Sequence, residues 1–185
     1  MADFFEVELD PATGDVLKSP DMTVKETLAT VFRAVDPTLN VWTSNVLDFD
    51  PNNDWAAVFR EIVPGGDFEN AKVHGIMISR AARTYTDGEG VRRHLWTYRV
   101  AVFESYKSGP PGKNSDDRVN ALVERLDKEL MTVEDEFVEP PDETQDGITQ
   151  VGGWQIEVED LIASRLHMVL GRIPVRLQQI LPGPR

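Results

Sequence analysis

Two segments of the chain carry apolar residues at the three- and four-residue spacing of an α-helix. The apolar positions of the first segment are Val24, Leu28, Val31, Phe32 and Val35. Thr23 and Glu26 have the spacing of a capping box, which predicts that this helix begins at Thr23. Asp36-Pro37 predicts its end, because proline disfavours the α conformation in the residue before it.

The second helical segment follows Ser115, a residue type that commonly caps a helix N-terminus. Asp116 and Asp117 come next, where the helix dipole favours negative charge. The apolar positions of this segment are Val119, Leu122, Val123, Leu126 and Leu130. We therefore predict a second helix over residues 115–130.

Alternating apolar and polar residues in the middle of the chain predict a long β-hairpin. Its first strand covers residues 73–85, and Asp87-Gly88-Glu89-Gly90 supplies the turn. On the return strand the two alternating faces are Trp96, Tyr98, Val100 and Val102 against Arg93, Leu95, Thr97 and Arg99. Both strands exceed the usual length of about 5–6 residues, and we expect the hairpin to project beyond its own domain.

Shorter patterns complete the chain. Leu39 and Val41 indicate a short strand, residues 52–62 a short helix, and residues 154–158 and 169–177 two closing strands. The last strand contains Pro174, which donates no backbone hydrogen bond, and we predict that this strand is an edge or is interrupted there. The order helix, strands, helix, strands predicts an α+β fold in which a mixed or antiparallel sheet with a long hairpin packs against two main helices.

The length of 185 residues is typical of one domain. Residues 1–22 are predicted to form an N-terminal arm or peripheral strand, which either folds back on its own domain or reaches a neighbour. Residues 23–181 are predicted to form a single α+β domain that includes an acidic loop over residues 132–147. Residues 182–185 are then a C-terminal tail.

Composition excludes several classes of protein. The chain has no cysteine, which rules out disulfides, thiolate nucleophiles and cysteine-based zinc sites. Acids occupy the N-terminus, where a signal peptide needs basic residues, and no apolar run approaches the ~20 residues of a membrane span. The net charge of -13 argues against general affinity for nucleic acid or anionic lipid. We expect no membrane association and no sequence-specific nucleic-acid binding.

Charge is divided unevenly along the chain. Residues 132–147 contain no base and seven acids, namely Glu134, Asp135, Glu136, Glu139, Asp142, Glu143 and Asp146. Residues 163–185 contain no acid and four arginines, namely Arg165, Arg172, Arg176 and Arg185. Two interpretations remain open. Either these are a solvated loop and an ordinary basic end, or the unlike patches meet across copies and set their register.

The segment Gly109-Pro110-Pro111-Gly112-Lys113-Asn114-Ser115 lies between a strand and a helix, as a phosphate-binding loop does. Only two residues separate its glycines where four are needed, and Asn114 follows the lysine in place of Ser or Thr. The pattern therefore favours a turn followed by a helix cap.

The other candidate sites for cofactors or metals depart from their patterns as well. The alternating oxygen side chains over residues 48–54 lack the glycine and glutamate of a calcium loop, with Asn53 and Phe59 in those places. His74, His94 and His167 show no metal-binding spacing. We predict no catalytic, cofactor-binding or metal-binding residue, and no enzyme activity.

Interfaces between proteins favour tryptophan, tyrosine and arginine. The return strand of the hairpin is rich in these residue types. It is either an ordinary two-faced strand of a sheet or a strand with one face in the core and its arginine-bearing face against a neighbouring subunit. The divided charge adds further positions. The predicted subunit-interface residues are Arg80, Arg92, Arg93, Trp96, Arg99, Glu134, Asp135, Glu136, Arg172 and Arg176.

The order of elements resembles the tail terminator (tail completion) proteins of long-tailed bacteriophages. The resemblance covers roughly residues 23–180, and it includes the run Tyr98-Arg99-Val100-Ala101-Val102-Phe103-Glu104-Ser105-Tyr106 that leads through a Gly/Pro loop into Ser115-Asp116-Asp117-Arg118-Val119. The arm, the long segment 36–72 and the acidic loop depart from that family.

The resemblance implies a structural virion protein that assembles with itself into a ring, commonly a hexamer. Such a ring caps the tail tube, ends its polymerisation and offers a surface to the head connector. The implied partners are the major tail tube protein and a neck protein, and the implied location is the virion tail or neck. Three alternatives remain: a head-to-tail connector or stopper, a small nucleotide- or metal-binding enzyme, and an adaptor that binds one host protein without forming a ring.

Overall fold

The structure is a computed structural model, and it describes residues 4–43, 74–105, 115–133, 146–163 and 166–182. Within these residues the helices are α1 (Pro20–Val35) and α2 (Ser115–Val133). The strands are β1 (Glu8–Leu9), β2 (Val16–Lys18), β3 (Asn40–Trp42), β4 (His74–Gly88), β5 (Val91–Ser105), β6 (Gly147–Val151), β7 (Gln155–Ala163) and β8 (Leu166–Ile180).

Six of the strands form one sheet in the order β3-β4-β5-β8-β6, and β7 pairs with β8 beside β6. β3 runs parallel to β4, and the other pairs are antiparallel. The two helices pack against one face of this sheet and against each other. The predicted α+β fold with a mixed sheet, a long hairpin and two main helices is confirmed.

The apolar stripes of the two helices and one face of the sheet form the hydrophobic core. The fully buried residues on this side include Val24, Leu28, Phe32, Ile76, Ile78, Tyr98, Val100, Val102, Val119, Leu126, Leu130, Ile173 and Val175. Most of them are the positions at which the helical and alternating periodicities predicted a buried face.

α1 begins three residues earlier than the capping-box pattern predicted. Ser19 is its N-cap, and the Ser19 hydroxyl accepts a hydrogen bond from the Met22 backbone N–H at 3.3 Å. Pro20 occupies the first turn, where a proline loses no helical hydrogen bond. Thr23 therefore lies inside the helix, and its hydroxyl donates to the Ser19 carbonyl oxygen. The predicted end is confirmed, since Asp36 is the C-cap in an extended conformation.

β4 and β5 form the predicted hairpin, and each is 15 residues long. Its turn consists of Glu89 and Gly90, with φ angles of 49° and 80°. Two left-handed residues in succession characterise the tight turn whose twist matches that of the flanking strands. A bulge between Arg80 and Ala82 interrupts the pairing of β4 with β5.

The prediction that Pro174 marks an edge or a break in its strand is wrong. β8 passes through Pro174 without interruption and lies in the interior of the sheet, paired with β5 on one side and with β6 and β7 on the other. The Pro174 carbonyl oxygen accepts from the Gly152 N–H, so the proline nitrogen faces the same side. That side is the gap between β6 and β7, where no strand residue pairs with Pro174. The missing proline N–H therefore costs the sheet no hydrogen bond.

The N-terminal arm folds back on its own domain. β1 and β2 pair as a small hairpin around a turn in which Asp10 accepts hydrogen bonds from the backbone of Ala12 and Gly14. Phe4 and Phe5 pack against the edge of the core.

Some predictions fall on residues outside those described. These are the short helix over residues 52–62 and nearly all of the acidic loop, of which residues 134–145 are not described. At its two ends, residues 132–133 belong to α2 and Gly147 begins β6.

Candidate subunit interface

The distal half of the β4–β5 hairpin is the most exposed part of the described sheet. Every residue from 81 to 90 is exposed. Among the described residues, no strand pairs with the outer side of β4 beyond Met77. Residues 82–88 therefore form an open edge, which contains Thr84, Tyr85 and Thr86 and neither proline nor lysine. Such an edge presents unpaired backbone groups and favours pairing with another chain.

A second open edge lies at the same level on the opposite side of the sheet. Thr86 pairs with Arg93, Arg93 with Gln178, and Gln178 with Gly147 of β6. In the described part of the chain no strand lies outside β6. Each step in this row is antiparallel, so β6 runs opposite to β4. The distal sheet thus has four strands and two unlike, antiparallel edges.

Four of the predicted interface arginines lie on the face of the sheet away from the helices, which we name the far face. They are Arg93, Arg99, Arg172 and Arg176. Arg99 and Arg172 are directly opposite each other, and both contact Glu157, with 3.5 Å between Arg99 Nε and Glu157 Oε2. This shared carboxylate offsets the repulsion between like charges on neighbouring strands. Arg176 donates to Gln150 Oε1.

Arg80 and Arg92 lie on the helix side of the same hairpin. The Arg80 guanidinium is 5.3 Å from the centre of the Trp96 ring, and its NH1 is 3.3 Å from Asp21 Oδ1. Arg92 forms a two-pronged pair with Asp87, with Nε–Oδ1 and NH2–Oδ2 distances of 2.6 and 3.0 Å. Its guanidinium is 4.4 Å from the centre of the Tyr85 ring.

Trp96 is not available for contact with another subunit in this conformation. Only 3% of the residue is exposed, because Arg80 covers its ring and Phe5 packs edge-on against it. Its place on the core-facing side of β5 follows from the alternation of the strand. Glu134, Asp135 and Glu136 lie outside the described residues.

A basic cleft opens between the N-terminal arm, the start of α1 and the helix side of the hairpin. Its volume is about 580 Å³. Arg80, Arg83 and Arg92 line it, and Asp21 is the one acid among its lining residues in the described part of the chain. The other walls are mainly apolar or aromatic and include Phe5, Val7, Val16, Met22, Tyr85, His94 and Trp96.

The floor of the cleft contains a buried polar cluster around Asp21. Asp21 accepts a hydrogen bond from the Tyr98 hydroxyl at 3.0 Å and pairs with Lys25 Nζ at 2.9 Å as well as with Arg80. Burial and the charge of Asp21 raise the pKa of Tyr98. Asp21 and Lys25 are four residues apart, the spacing at which opposite charges pair on a helix, and this was the one sequence signal for the cluster. The sequence prediction missed it because it placed the start of the helix at Thr23, after Asp21.

His94 lies among the arginines of the cleft. Burial lowers the pKa of His94, and the nearby charges of Arg92 and Arg83 lower it further, although a hydrogen bond with Gln179 and the charge of Asp87 oppose them. His94 is therefore neutral at pH 7, and the arginines supply the charge.

A second polar cluster lies at the other end of the sheet. His74 Nδ1 is 2.5 Å from Glu104 Oε1, and His74 Nε2 is 3.4 Å from Asp36 Oδ2. Arg118 Nε donates to Glu104 Oε2 at 2.7 Å. The contact with Glu104 raises the pKa of His74, and His74 and Arg118 hold the pKa of Glu104 below its usual value despite its burial.

The strand register also brings His167 opposite Glu104, so two of the three histidines flank one carboxylate. Within the described ranges, no group of histidine and acid side chains has an arrangement that holds a metal ion. The phosphate-loop pattern over residues 109–114 and the calcium-like segment 48–54 lie outside the described residues.

No helix in the described part of the chain is long and apolar enough to cross a membrane. Comparison of the chain with protein-family models gives no match, and comparison with curated proteins gives none either.

Proposed function

We propose that this chain is a structural protein that assembles head to tail into a ring, and that the ring caps the tail tube of a long-tailed bacteriophage. The observation that carries the proposal is the pair of unlike open edges, β4 and β6, at one level of the distal sheet. A contact between two different surfaces of the same chain repeats from copy to copy, and it forms a ring when the rotation between copies closes around an axis.

The strand directions suit such a contact. Along the distal sheet the order is β4, β5, β8 and β6, with each strand antiparallel to the next. Placing β6 of one copy against β4 of the next continues this alternation without a mismatch, because each copy contributes an even number of strands. The helices remain on one side of the continuous sheet and the far face on the other.

The tail tube and head connector as partners, and the virion tail as location, are supported by the resemblance in element order. The fold of two helices against a mixed sheet with a long hairpin is consistent with that resemblance. On this proposal the chain acts by assembly, and it has no catalytic residue and no bound cofactor. A connector or stopper role uses the same ring with a different partner.

The ring is tested by blocking one edge. Lysines on an edge strand discourage pairing with another chain, so the double change Thr84→Lys and Thr86→Lys is expected to convert the assembly into monomers with an unchanged melting temperature. Native mass spectrometry of both proteins measures this. The matched control is Asn120→Lys with Ala121→Lys, which adds the same charge on the exposed side of α2.

The tail role is tested separately by mixing the purified protein with its tail tube protein and with the neck proteins. We expect co-sedimentation with the tube and an end to tube growth. Binding to neck proteins alone would favour a connector, and a strict monomer that joins neither would contradict the proposal.

A further inference from the structure

The basic cleft is unusual in a chain with a net charge of -13. Asp21 pairs with Lys25 and Arg80 and accepts from the Tyr98 hydroxyl, and Asp87 pairs with Arg92. Two acids therefore offset four bases, and the cleft retains positive charge at the exposed Arg83. Arg83 is exposed, and Arg92 is held in place by Asp87 and the Tyr85 ring. The exposed guanidinium of Arg83 can donate two parallel hydrogen bonds to a carboxylate.

The cleft also exposes apolar surface. About half of the surface of Val7, Val16 and Met22 is exposed, and 59% of Tyr85. A small set of exposed apolar side chains beside arginines is typical of a binding surface for another protein segment. The matching occupant therefore carries several carboxylates next to one or two apolar side chains.

This chain contains such a segment. Residues 134–139 read Glu134-Asp135-Glu136-Phe137-Val138-Glu139, with four acids around one aromatic and one β-branched side chain and with no base. The segment lies outside the described residues. We propose that residues 134–139 of a second copy occupy the basic cleft.

The position of β6 places the segment of a second copy within reach of the cleft. Asp146, the residue before β6, accepts a hydrogen bond from the Ile180 N–H at the distal end of the sheet. In the head-to-tail arrangement β6 lies beside β4 of the neighbour, and β4 contributes Arg83 and Tyr85 to the neighbour's cleft. The inference rests on the proposed ring, since it identifies an additional contact within it.

The connection from Glu139 to β6 is long enough for this contact. Seven residue steps separate Glu139 from Asp146, and at about 3.3 Å each they span up to about 23 Å. Neighbouring strands are separated by about 4.8 Å, so the segment has sufficient length to reach across the edge strand of the next copy.

Binding is tested with a fluorescent synthetic peptide of residues 133–145. The receptor is the full chain carrying Glu134→Gln, Asp135→Asn, Glu136→Gln and Glu139→Gln, so that its own segment does not compete. We expect Arg83→Glu in this receptor to weaken binding at least about tenfold, a loss of about 1.4 kcal/mol. Arg33→Glu, the matched change at the exposed far end of α1, is expected to leave affinity unchanged.

A peptide whose four acids are replaced by amides is expected not to bind, and salt is expected to weaken the acidic peptide. Circular dichroism confirms that each receptor is folded. Absence of binding, or equal losses for the Arg83 and Arg33 variants, would overturn the inference.

The source of the segment is tested by mixing two variants. Full chain with Arg83→Glu lacks the cleft, and full chain with the four amides lacks the ligand. We expect sedimentation to show tighter association in the equimolar mixture than in either variant alone, because only the mixture contains one intact contact. No gain on mixing would overturn the assignment to a second copy.

These outcomes are independent of the tail role. Peptide binding and gain on mixing without attachment to a tail tube would leave the cleft contact standing and remove the proposed function. If the Arg83→Glu chain forms an unaltered ring and attaches to the tube, the proposed function stands and the cleft contact is removed.

Discussion

Asp21 shows how one buried carboxylate connects separate parts of the chain. Its oxygens contact Lys25 on the same helix, Arg80 on β4 and Tyr98 on β5. Lys25 is only 2% exposed and is therefore out of reach of water. A buried charge of this kind is tolerated only while its counter-charge is present.

Asp21→Asn is expected to destabilise the fold because it removes the charge that balances Lys25. Breaking a buried ion pair by removing one partner costs about 3–5 kcal/mol. Urea unfolding measures the loss, with the exposed Asp15→Asn as control. A loss no larger than that of the control would show that the pair contributes little.

The contact between His74 and Glu104 makes the stability of the fold depend on pH, with a loss on the acid side and another on the alkaline side. The pKa of His74 is raised above 6.5 in the folded protein, so its stabilisation is fully present below pH 6.5 and is lost as pH rises through the raised value. The pKa of Glu104 is lowered below 4.5, so its stabilisation is present above pH 4.5 and is lost as pH falls through the lowered value.

The difference in free energy of unfolding between the natural chain and His74→Gln is therefore expected to be largest between about pH 4.5 and 6.5. It is expected to decrease at higher pH, where His74 loses its proton. Urea unfolding across this range measures the difference. The control is His94→Gln, because His94 has a lowered pKa and is expected not to show this decrease. A difference that is constant with pH would contradict the assignment.

At the scale of elements, the hairpin depends on its two-residue turn. Gly90 has a φ of 80° and no atom near the place of a Cβ, so the only cost of a side chain there is conformational. Gly88 has equally open surroundings without a left-handed φ. These two glycines therefore separate backbone conformation from steric crowding.

Gly90→Ala is expected to destabilise the protein by about 1–2 kcal/mol, the cost of a left-handed L-residue. Gly88→Ala is expected to change stability by less than about 0.5 kcal/mol. Thermal or urea unfolding of both variants measures the contrast. Equal effects would indicate that the turn does not adopt this conformation in solution.

The periodicity of the sequence identified the long elements because each buries one continuous face. Residues 23–35, 115–130 and 91–102 follow patterns of period 3.6 or 2 that are local. The predicted start of α1 is three residues late because Ser19-Pro20 and Thr23 both carry capping signals, and Ser19 is the residue that caps the helix. Pro174 is tolerated in an interior strand because it faces the gap between the neighbouring strands β6 and β7. That gap depends on strand order, which the local sequence does not show.

At the scale of the whole molecule, the sheet has a protected centre and exposed ends. β5 and β8 each have neighbours on both sides, whereas the distal part of β4 and the outer side of β6 have none among the described residues. Backbone amides without partners exchange with solvent rapidly, and those in a paired ladder exchange slowly.

Assembly is therefore expected to slow amide exchange over residues 82–88 and 147–151 while leaving β5 nearly unchanged. Hydrogen–deuterium exchange of the assembled protein and of the Thr84→Lys, Thr86→Lys monomer measures this. Protection confined to α1 or α2 would place the contact on the helices and contradict pairing through the sheet edges.

The sequence by itself determined the α+β class, the two amphipathic helices, the long hairpin and the absence of cysteine chemistry, because all of these depend on local periodicity or composition. The tertiary structure decided which side chains share a surface. It divided the candidate arginines between two faces, buried Trp96, and brought Asp21 to Tyr98 across 77 residues of chain. Such contacts depend on strand order and register, which are set by the packing of the whole sheet and leave no local pattern in the sequence.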